Sequence, residues 1–161
     1  MTSHRSAAGG RAAGGGVVSG GQVAASRPVR ESFSAVIPGE LAEVAGVRRL
    51  LEQRLTKWGC PEVDAVVLAV HELVANAVRH GCASTGDVVR LAAHYAEGLL
   101  LVTVADPSPA PPVPRPAGDG AVDGRGLALV EALTDCWGYG PSPEGPGKQV
   151  WCLISGAVPL P

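Results

Sequence analysis

The stretch at residues 61–81, PEVDAVVLAVHELVANAVRHG, restricts the fold of this chain more than any other. Its apolar residues recur at intervals of three and four positions, which is the spacing of one buried face of an α-helix. They are Val63, Val66, Val67, Val70, Leu73, Val74, Ala77 and Val78. Pro61 suits the first helical position and Glu62 the positive end of the helix dipole, so the pattern predicts a helix that starts at Pro61.

Two polar residues, Glu72 and Asn76, interrupt this apolar run. They are four positions apart and therefore share one face of the helix. Taken alone, a solvent-facing pair is the simpler interpretation, because matches this short are common by chance. Features further along the chain favour a functional pair.

Composition restricts the class of protein. The 161 residues suit one domain, and 46% hydrophobic residues with 17% charged ones are enough to form a core. A formal charge of −2 gives no reason to expect nucleic-acid binding. The four cysteines show no metal-ligand spacing and indicate reduced thiols. With no apolar run of membrane-spanning length and no secretory signal, we expect a cytoplasmic protein without a membrane partner.

The domain boundaries follow from shifts in composition. Residues 1–32 are rich in Gly and Ala and have no periodicity, which predicts a disordered tail. Residues 33–155 form the expected ordered domain, and residues 156–161 a short C-terminal tail.

Within the ordered domain, patterns of alternation and helical spacing predict a strand at 33–37, a helix at 40–58 and the central helix at 61–81. Strands at 88–95 and 99–105 form a predicted hairpin, and a further helix begins at Leu127. Strands at 135–139 and 149–154 end the domain. This order predicts an α/β fold: a two-layer α/β sandwich with a mixed, largely antiparallel sheet and helices on one face.

A long proline-rich segment follows Asp106 and precedes Gly124. Proline removes amide donors and fixes φ, so neither a helix nor a sheet can continue through it. A loop of this length in a compact domain is usually a lid, a binding loop or disordered.

Three features together suggest a magnesium–nucleotide site. The side-chain oxygen of Asn76 could bind Mg²⁺, which prefers oxygen ligands. Gly124 and Gly126 precede a helix, where backbone amides can approach phosphates. Asp106 ends a strand and could accept a hydrogen bond from an exocyclic amine, while Glu72 could serve as a base.

Four segments carry a resemblance to a known family: HELVANAVRHG, LLVTVADPS, GRGLALVEALTD and GKQVW. In this order and spacing they resemble the ATP-binding domain of anti-sigma-factor serine kinases, within the superfamily of histidine kinases, gyrase and related ATPases. The resemblance covers about residues 33–155 and implies the histidine-kinase and gyrase type of ATP-binding fold, with ATP and Mg²⁺ as ligands.

The resemblance also implies roles for individual residues. Glu72 would be the general base, Asn76 the magnesium ligand and Asp106 the partner of the adenine amino group. The proline-rich segment would be the ATP lid. The remaining nucleotide-binding residues would be His80, Gly124, Arg125, Gly126, Leu127 and Lys148. For His80 the alternative is a helix-terminal residue that bonds local backbone, and for Lys148 an exposed turn lysine.

The family's function implies a regulatory kinase. Such a protein would phosphorylate a serine of a STAS-type anti-anti-sigma partner, and would hold a sigma factor inactive; a homodimer is consistent with the family. The alternative is a nucleotide-responsive anti-sigma module without catalysis. The catalytic half of a histidine kinase is disfavoured, because the upstream residues offer no phosphoacceptor helix pair and no membrane sensor. The wider superfamily continues the adenine-binding Asp as Asp-x-Gly-x-Gly, whereas this chain reads Asp106-Pro107-Ser108, which makes weak ATP affinity plausible.

Overall fold

The structure is a computed structural model, and it describes residues 31–112 and 126–156. Five strands form one sheet in the order β1-β2-β3-β5-β4, and every described pairing is antiparallel. The strands are β1 (Glu31–Pro38), β2 (Val88–Ala96), β3 (Leu99–Asp106), β4 (Cys136–Pro141) and β5 (Lys148–Ser155). The predicted α/β architecture with an antiparallel sheet and helices is confirmed.

The helices agree with the sequence patterns to within one residue, except at the two ends of the central helix. They are α1 (Leu41–Lys57), α2 (Val63–Asn76) and α3 (Gly126–Leu133). The prediction that the central helix starts at Pro61 was wrong by two residues, because Glu62 adopts a left-handed backbone with φ 55°. The predicted helix also does not continue unchanged to Gly81: after Asn76 it widens into a π turn, Ala77–Gly81.

The helices cover one face of the sheet, and the core lies between the two layers. Inward residues of the strands, such as Ile37, Leu91 and Val102, are fully buried against α1 and α2. Their neighbours along each strand, such as Val36 and Leu101, are exposed on the opposite face. This alternation is what an antiparallel sheet with one covered face requires.

The connection between β2 and β3 is a tight hairpin. Glu97 and Gly98 both adopt positive φ, at 50° and 81°. Two consecutive residues with positive φ match the right-handed twist of the flanking strands, so the predicted turn at these residues is confirmed.

In the ranges 31–112 and 126–156, no helix combines the length and the apolar character needed to cross a bilayer.

Candidate functional site

Glu72 and Asn76 lie on the face of α2 that meets the start of α3. Both side chains are half-buried. A Cβ atom placed on Gly126, the first residue of α3, would lie 2.8 Å from Glu72 Oε2 and 3.2 Å from Asn76 Nδ2. The structure therefore brings Glu72, Asn76 and Gly126 together at the positive end of a helix dipole.

The π turn links this first cluster, formed by Glu72, Asn76 and Gly126, to a second cluster formed by Gly81, Asp106 and Lys148. It begins directly after Asn76 and ends at Gly81, which is buried. A Cβ on Gly81 would overlap the carboxylate of Asp106, so only glycine permits this approach. A π turn inside a helix is rare and is often found at functional sites. Here it carries the chain from the carboxamide of Asn76 to the carboxylate of Asp106.

Asp106 is buried at the end of β3 and forms an ion pair with Lys148. Lys148 Nζ lies 2.9 Å from Asp106 Oδ1, to which it donates a hydrogen bond, and 2.9 Å from Oδ2. The backbone N–H of Ser108 donates a second hydrogen bond to Oδ1, at 2.9 Å. Oδ2 is buried and accepts no hydrogen bond of good geometry from the described residues, although the ammonium is within ion-pair distance. Oδ2 therefore keeps a lone pair that no described N–H group uses, although the ammonium of Lys148 neutralises its charge.

The strand register explains why the ion pair forms. Asp106 and Lys148 are direct partners in the pairing of β3 with β5. Lys148 has the same strand parity as the buried residues Val150 and Cys152, so its side chain points to the helix side. Gly147 adopts φ 120°, and a Cβ there would overlap the carbonyl oxygen of Asp106, so the chain enters β5 through a position that favours glycine.

Two ionisable groups beside the second cluster have shifted pKa values. Burial raises the pKa of the Cys82 thiol, and the charges of Asp87 and Asp106 raise it further, while Lys148 lowers it. The backbone N–H groups of Ala83 and Ser84 donate hydrogen bonds to the Asp87 carboxylate and lower its pKa. Cys82 is therefore a protonated, largely unreactive thiol within electrostatic range of Asp106.

The structure does not bring all of the remaining predicted site residues to the two clusters. The side chain of Leu127 belongs to the core, so only its backbone could face a phosphate. His80 is exposed on the π turn, and in the described part of the chain it makes no hydrogen bond or ion pair with either cluster. Gly124 and Arg125 lie outside the described residues, as do residues 1–30 and 157–161 of the predicted tails and most of the predicted lid. Glu31 and Ser32, which the predicted N-terminal tail included, belong to β1.

Sequence reasoning missed three features of the site, two glycines and the π turn. It assigned no role to Gly81 or Gly147, and it gave no indication of the π turn. A signal existed for the glycines, since each directly flanks a predicted site residue in the sequence, His80 or Lys148. The equal alternative for Lys148, an exposed turn lysine, is contradicted by its burial at 7% exposure.

The residues present fit a magnesium nucleotide. Asn76 supplies a carboxamide oxygen of the kind that Mg²⁺ accepts as a ligand, and Glu72 places a carboxylate beside it. Gly126 leaves a space beside them that a side chain would fill, at the start of a helix where phosphate groups bind readily. Asp106 offers a buried acceptor with an unused lone pair.

A separate depression of about 270 Å³ lies on the opposite face of the sheet. Outward side chains such as Ser34, Arg90 and Thr103 line it, and Arg90 forms a 3.4 Å ion pair with Glu144 at its edge. The sheet itself separates this depression from both clusters.

Comparisons with known proteins give the family of this chain and a solved structure of similar fold. A sequence model of the family described as histidine kinase-like ATPase domain matches residues 37–152. An uncharacterized protein of Streptomyces coelicolor is 35% identical over 91 residues, which covers 55% of this chain and 84% of that protein.

A solved structure has a similar fold. The structure of the RsbU and RsbW domains of Rv1364c from Mycobacterium tuberculosis superposes with a TM-score of 0.57 at 22% identity. The match covers 78% of this chain, which spans only 32% of the mycobacterial one.

Proposed function

Because the chain belongs to the histidine kinase-like ATPase domain family, we propose that it is a Mg·ATP-dependent regulatory protein kinase. Its substrate is a serine on a STAS-type anti-anti-sigma partner, and its second partner is a sigma factor that it holds inactive. The kinase class, the STAS partner and the sigma factor follow from the resemblance of the four sequence segments to anti-sigma-factor serine kinases.

The observation that carries this proposal is the convergence of Glu72 and Asn76 on Gly126. A family member that only bound nucleotide would need a metal ligand and a phosphate site. It would have no need of a half-buried carboxylate one helical turn from that ligand. The presence of Glu72 beside the same glycine favours a chemical step.

In the proposed mechanism, each residue has one task. Glu72 accepts the proton of the attacking serine hydroxyl, which raises the nucleophilicity of the serine oxygen. The side-chain oxygen of Asn76 would hold Mg²⁺, which when bound neutralises charge on the phosphate oxygens. Backbone amides at the start of α3 would donate hydrogen bonds to phosphate, and Asp106 would accept one from the exocyclic amine of the nucleobase.

The test is the substitution Glu72→Ala. Because Glu72 acts as the base and is not the metal ligand, we expect phosphate transfer to a STAS-domain protein to fall by roughly 100-fold or more, with ATP affinity largely retained. Transfer is measured with γ-labelled ATP and affinity by calorimetry. Glu52→Ala, at an exposed glutamate of α1, is the matched control. Normal transfer by the Glu72 variant would contradict the assignment.

One observation favours a second candidate, a partner-binding module without catalysis. The ammonium of Lys148 lies 2.9 Å from both carboxylate oxygens of Asp106, the residue proposed to bind the nucleobase. A protein whose nucleobase site is occupied by its own lysine could bind a sigma factor without nucleotide. Sigma-factor binding that is unaffected by ATP, together with no phosphate transfer to any STAS-domain protein, would favour this candidate.

A further inference from the structure

The ion pair with Lys148 occupies the carboxylate of Asp106, which is the hydrogen-bond acceptor proposed to recognise the nucleobase. The side chains of Lys148 and Asp106 are only 8% and 1% exposed. The ammonium is equidistant from the two carboxylate oxygens, at 2.9 Å. The ammonium also donates a hydrogen bond to the backbone carbonyl oxygen of Ser108, at 3.4 Å, so it contacts both the last residue of β3 and the loop that follows it.

A lysine ammonium and the exocyclic amine of adenine both present N–H donors to a carboxylate, although only the ammonium is charged. Each is a nitrogen that donates N–H groups and accepts none in this geometry. Oδ1 already accepts hydrogen bonds from Ser108 and Lys148. Oδ2 has an unused lone pair but is buried, with the ammonium in contact with it. An amine that approached Oδ2 would bring its positive hydrogens against a positive charge.

We propose that Lys148 is an internal competitor of the nucleobase: its ammonium occupies the position of the base's exocyclic amine on Asp106, and the base binds there only by displacing it. This inference rests on the proposed nucleotide site and adds a determinant of affinity and base selectivity to it. The arrangement makes binding an exchange of one donor for another, so the amine contributes little net affinity in the wild-type protein.

The exchange has a consequence for the choice of base. Inosine triphosphate has a carbonyl oxygen where ATP has the amine, and a carbonyl can accept a hydrogen bond from Lys148 without disrupting the ion pair. The wild-type protein is therefore expected to bind ATP and inosine triphosphate with affinities within roughly threefold of each other, because every tenfold difference requires a net gain of one good polar interaction.

The experiment compares two nucleotides and two proteins. Lys148→Met keeps an unbranched side chain that is one atom shorter and removes the ammonium, and Lys57→Met, at an exposed lysine of α1, is the control. Calorimetric titration in the presence of Mg²⁺ is expected to show at least roughly tenfold tighter ATP binding for Lys148→Met, and weaker binding of inosine triphosphate, because its carbonyl loses the Lys148 donor and then faces the Asp106 carboxylate. The control variant is expected to match the wild-type protein with both nucleotides.

Each contrary outcome has a definite meaning. Weaker or equal ATP binding by Lys148→Met, with wild-type binding intact, overturns the competitor role and leaves the proposed function standing. Absence of binding of either nucleotide to either protein overturns the proposed function and this inference with it.

Should Lys148→Met fail to fold, Lys148→Gln removes the charge but keeps an N–H donor for Asp106, and is expected to show a smaller gain in ATP affinity. The wild-type comparison needs no variant: a preference for ATP over inosine triphosphate of roughly 30-fold or more overturns the inference by itself.

Discussion

Gly126 is the single residue on which the geometry of the first cluster depends most directly. In Gly126→Ala the new Cβ would lie 2.8 Å from Glu72 Oε2 and 3.2 Å from Asn76 Nδ2, so both side chains would have to move. We expect nucleotide affinity and phosphate transfer to fall by roughly threefold to tenfold, because the two side-chain ends must shift by a few tenths of an ångström, and a misplacement of about 1 Å costs about 100-fold. Calorimetry and a transfer assay measure the two losses.

Gly46→Ala is the control for that substitution. Gly46 lies inside α1, and a Cβ there would meet no atom within 4 Å. Alanine is favoured over glycine in a helix interior by about 1 kcal/mol, so this variant should be slightly more stable and bind nucleotide normally. A Gly126→Ala variant that behaved like Gly46→Ala would contradict the position assigned to Glu72 and Asn76.

Lys148 also has a measurable effect on stability. Removing one partner of a buried ion pair leaves an uncompensated charge, which costs about 3–5 kcal/mol in unfolding free energy. Lys148→Met should therefore lower the denaturant midpoint well below that of Lys57→Met, measured by circular dichroism. Equal midpoints would show that the carboxylate of Asp106 is solvated without its partner.

At the residue scale, the sequence predicted which side chains could carry the chemistry but not how each is held. The four-residue spacing of Glu72 and Asn76 was sufficient to put them on one face. The burial of Lys148 was not predicted, because an exposed turn lysine was an equal alternative at the predicted strand's edge. Parity with Val150 and Cys152 shows the inward direction once the strand is known to begin at Lys148.

Among the elements, the turn from Cys82 to Asp87 depends on one carboxylate. Asp87 Oδ2 accepts hydrogen bonds from the backbone N–H groups of Ala83 and Ser84, at 2.7 and 2.8 Å, and these bonds lower its pKa. Since the pKa is lower in the folded state, the unfolded state binds more protons between the two values. The contribution of Asp87 to stability is therefore present above the unfolded pKa of about 3.9 and is lost as pH falls through the folded pKa.

Asp87→Ala tests this dependence. The difference in thermal midpoint between the wild-type protein and the variant should be constant near neutral pH. It should shrink as pH is lowered from about 5 toward about 2, because the wild-type carboxylate becomes protonated. A difference that did not vary with pH would mean that the charge of Asp87 does not stabilise the turn.

Most elements were predictable because their periodicity is set by burial, and the π turn was not. One widened turn changes the register of a helix without changing the apolar character of its residues, so Ala77 and Val78 fit a continuous α-helix equally well. The start of α2 was misplaced for a similar reason. Pro61 is compatible with a first helical position, but Glu62 adopts a left-handed backbone with φ 55°, which no pattern in the sequence indicates.

For the molecule as a whole, the reaction rates of the cysteine thiols measure which strands of the sheet separate in the native state. Cys152 is fully buried, and burial raises its pKa to about 12; Cys136 on the neighbouring strand is exposed. In native protein at about pH 8, iodoacetamide should modify Cys136 quickly and Cys152 only as fast as the protein unfolds, because the thiolate is the nucleophile.

Mass spectrometry of timed samples follows both sites, with Cys136→Ser to confirm the assignment. Similar rates at Cys136 and Cys152 would show that β4 and β5 separate in the native state. Cys60, whose pKa is also raised by burial, provides an internal reference from the other end of the core.

The strand order has a consequence for how the molecule opens. Two hairpins, β2–β3 and β4–β5, are each closed by short connections, and the pairing of β3 with β5 joins them. Native proteins open in cooperative units that often coincide with such motifs. Detachment of the β4–β5 hairpin would separate Lys148 from Asp106, while Glu72 and Asn76 stay on α2. The two ends of the candidate site would then belong to different units of local unfolding, so that recognition of the base could be lost and regained without disassembly of the phosphate end.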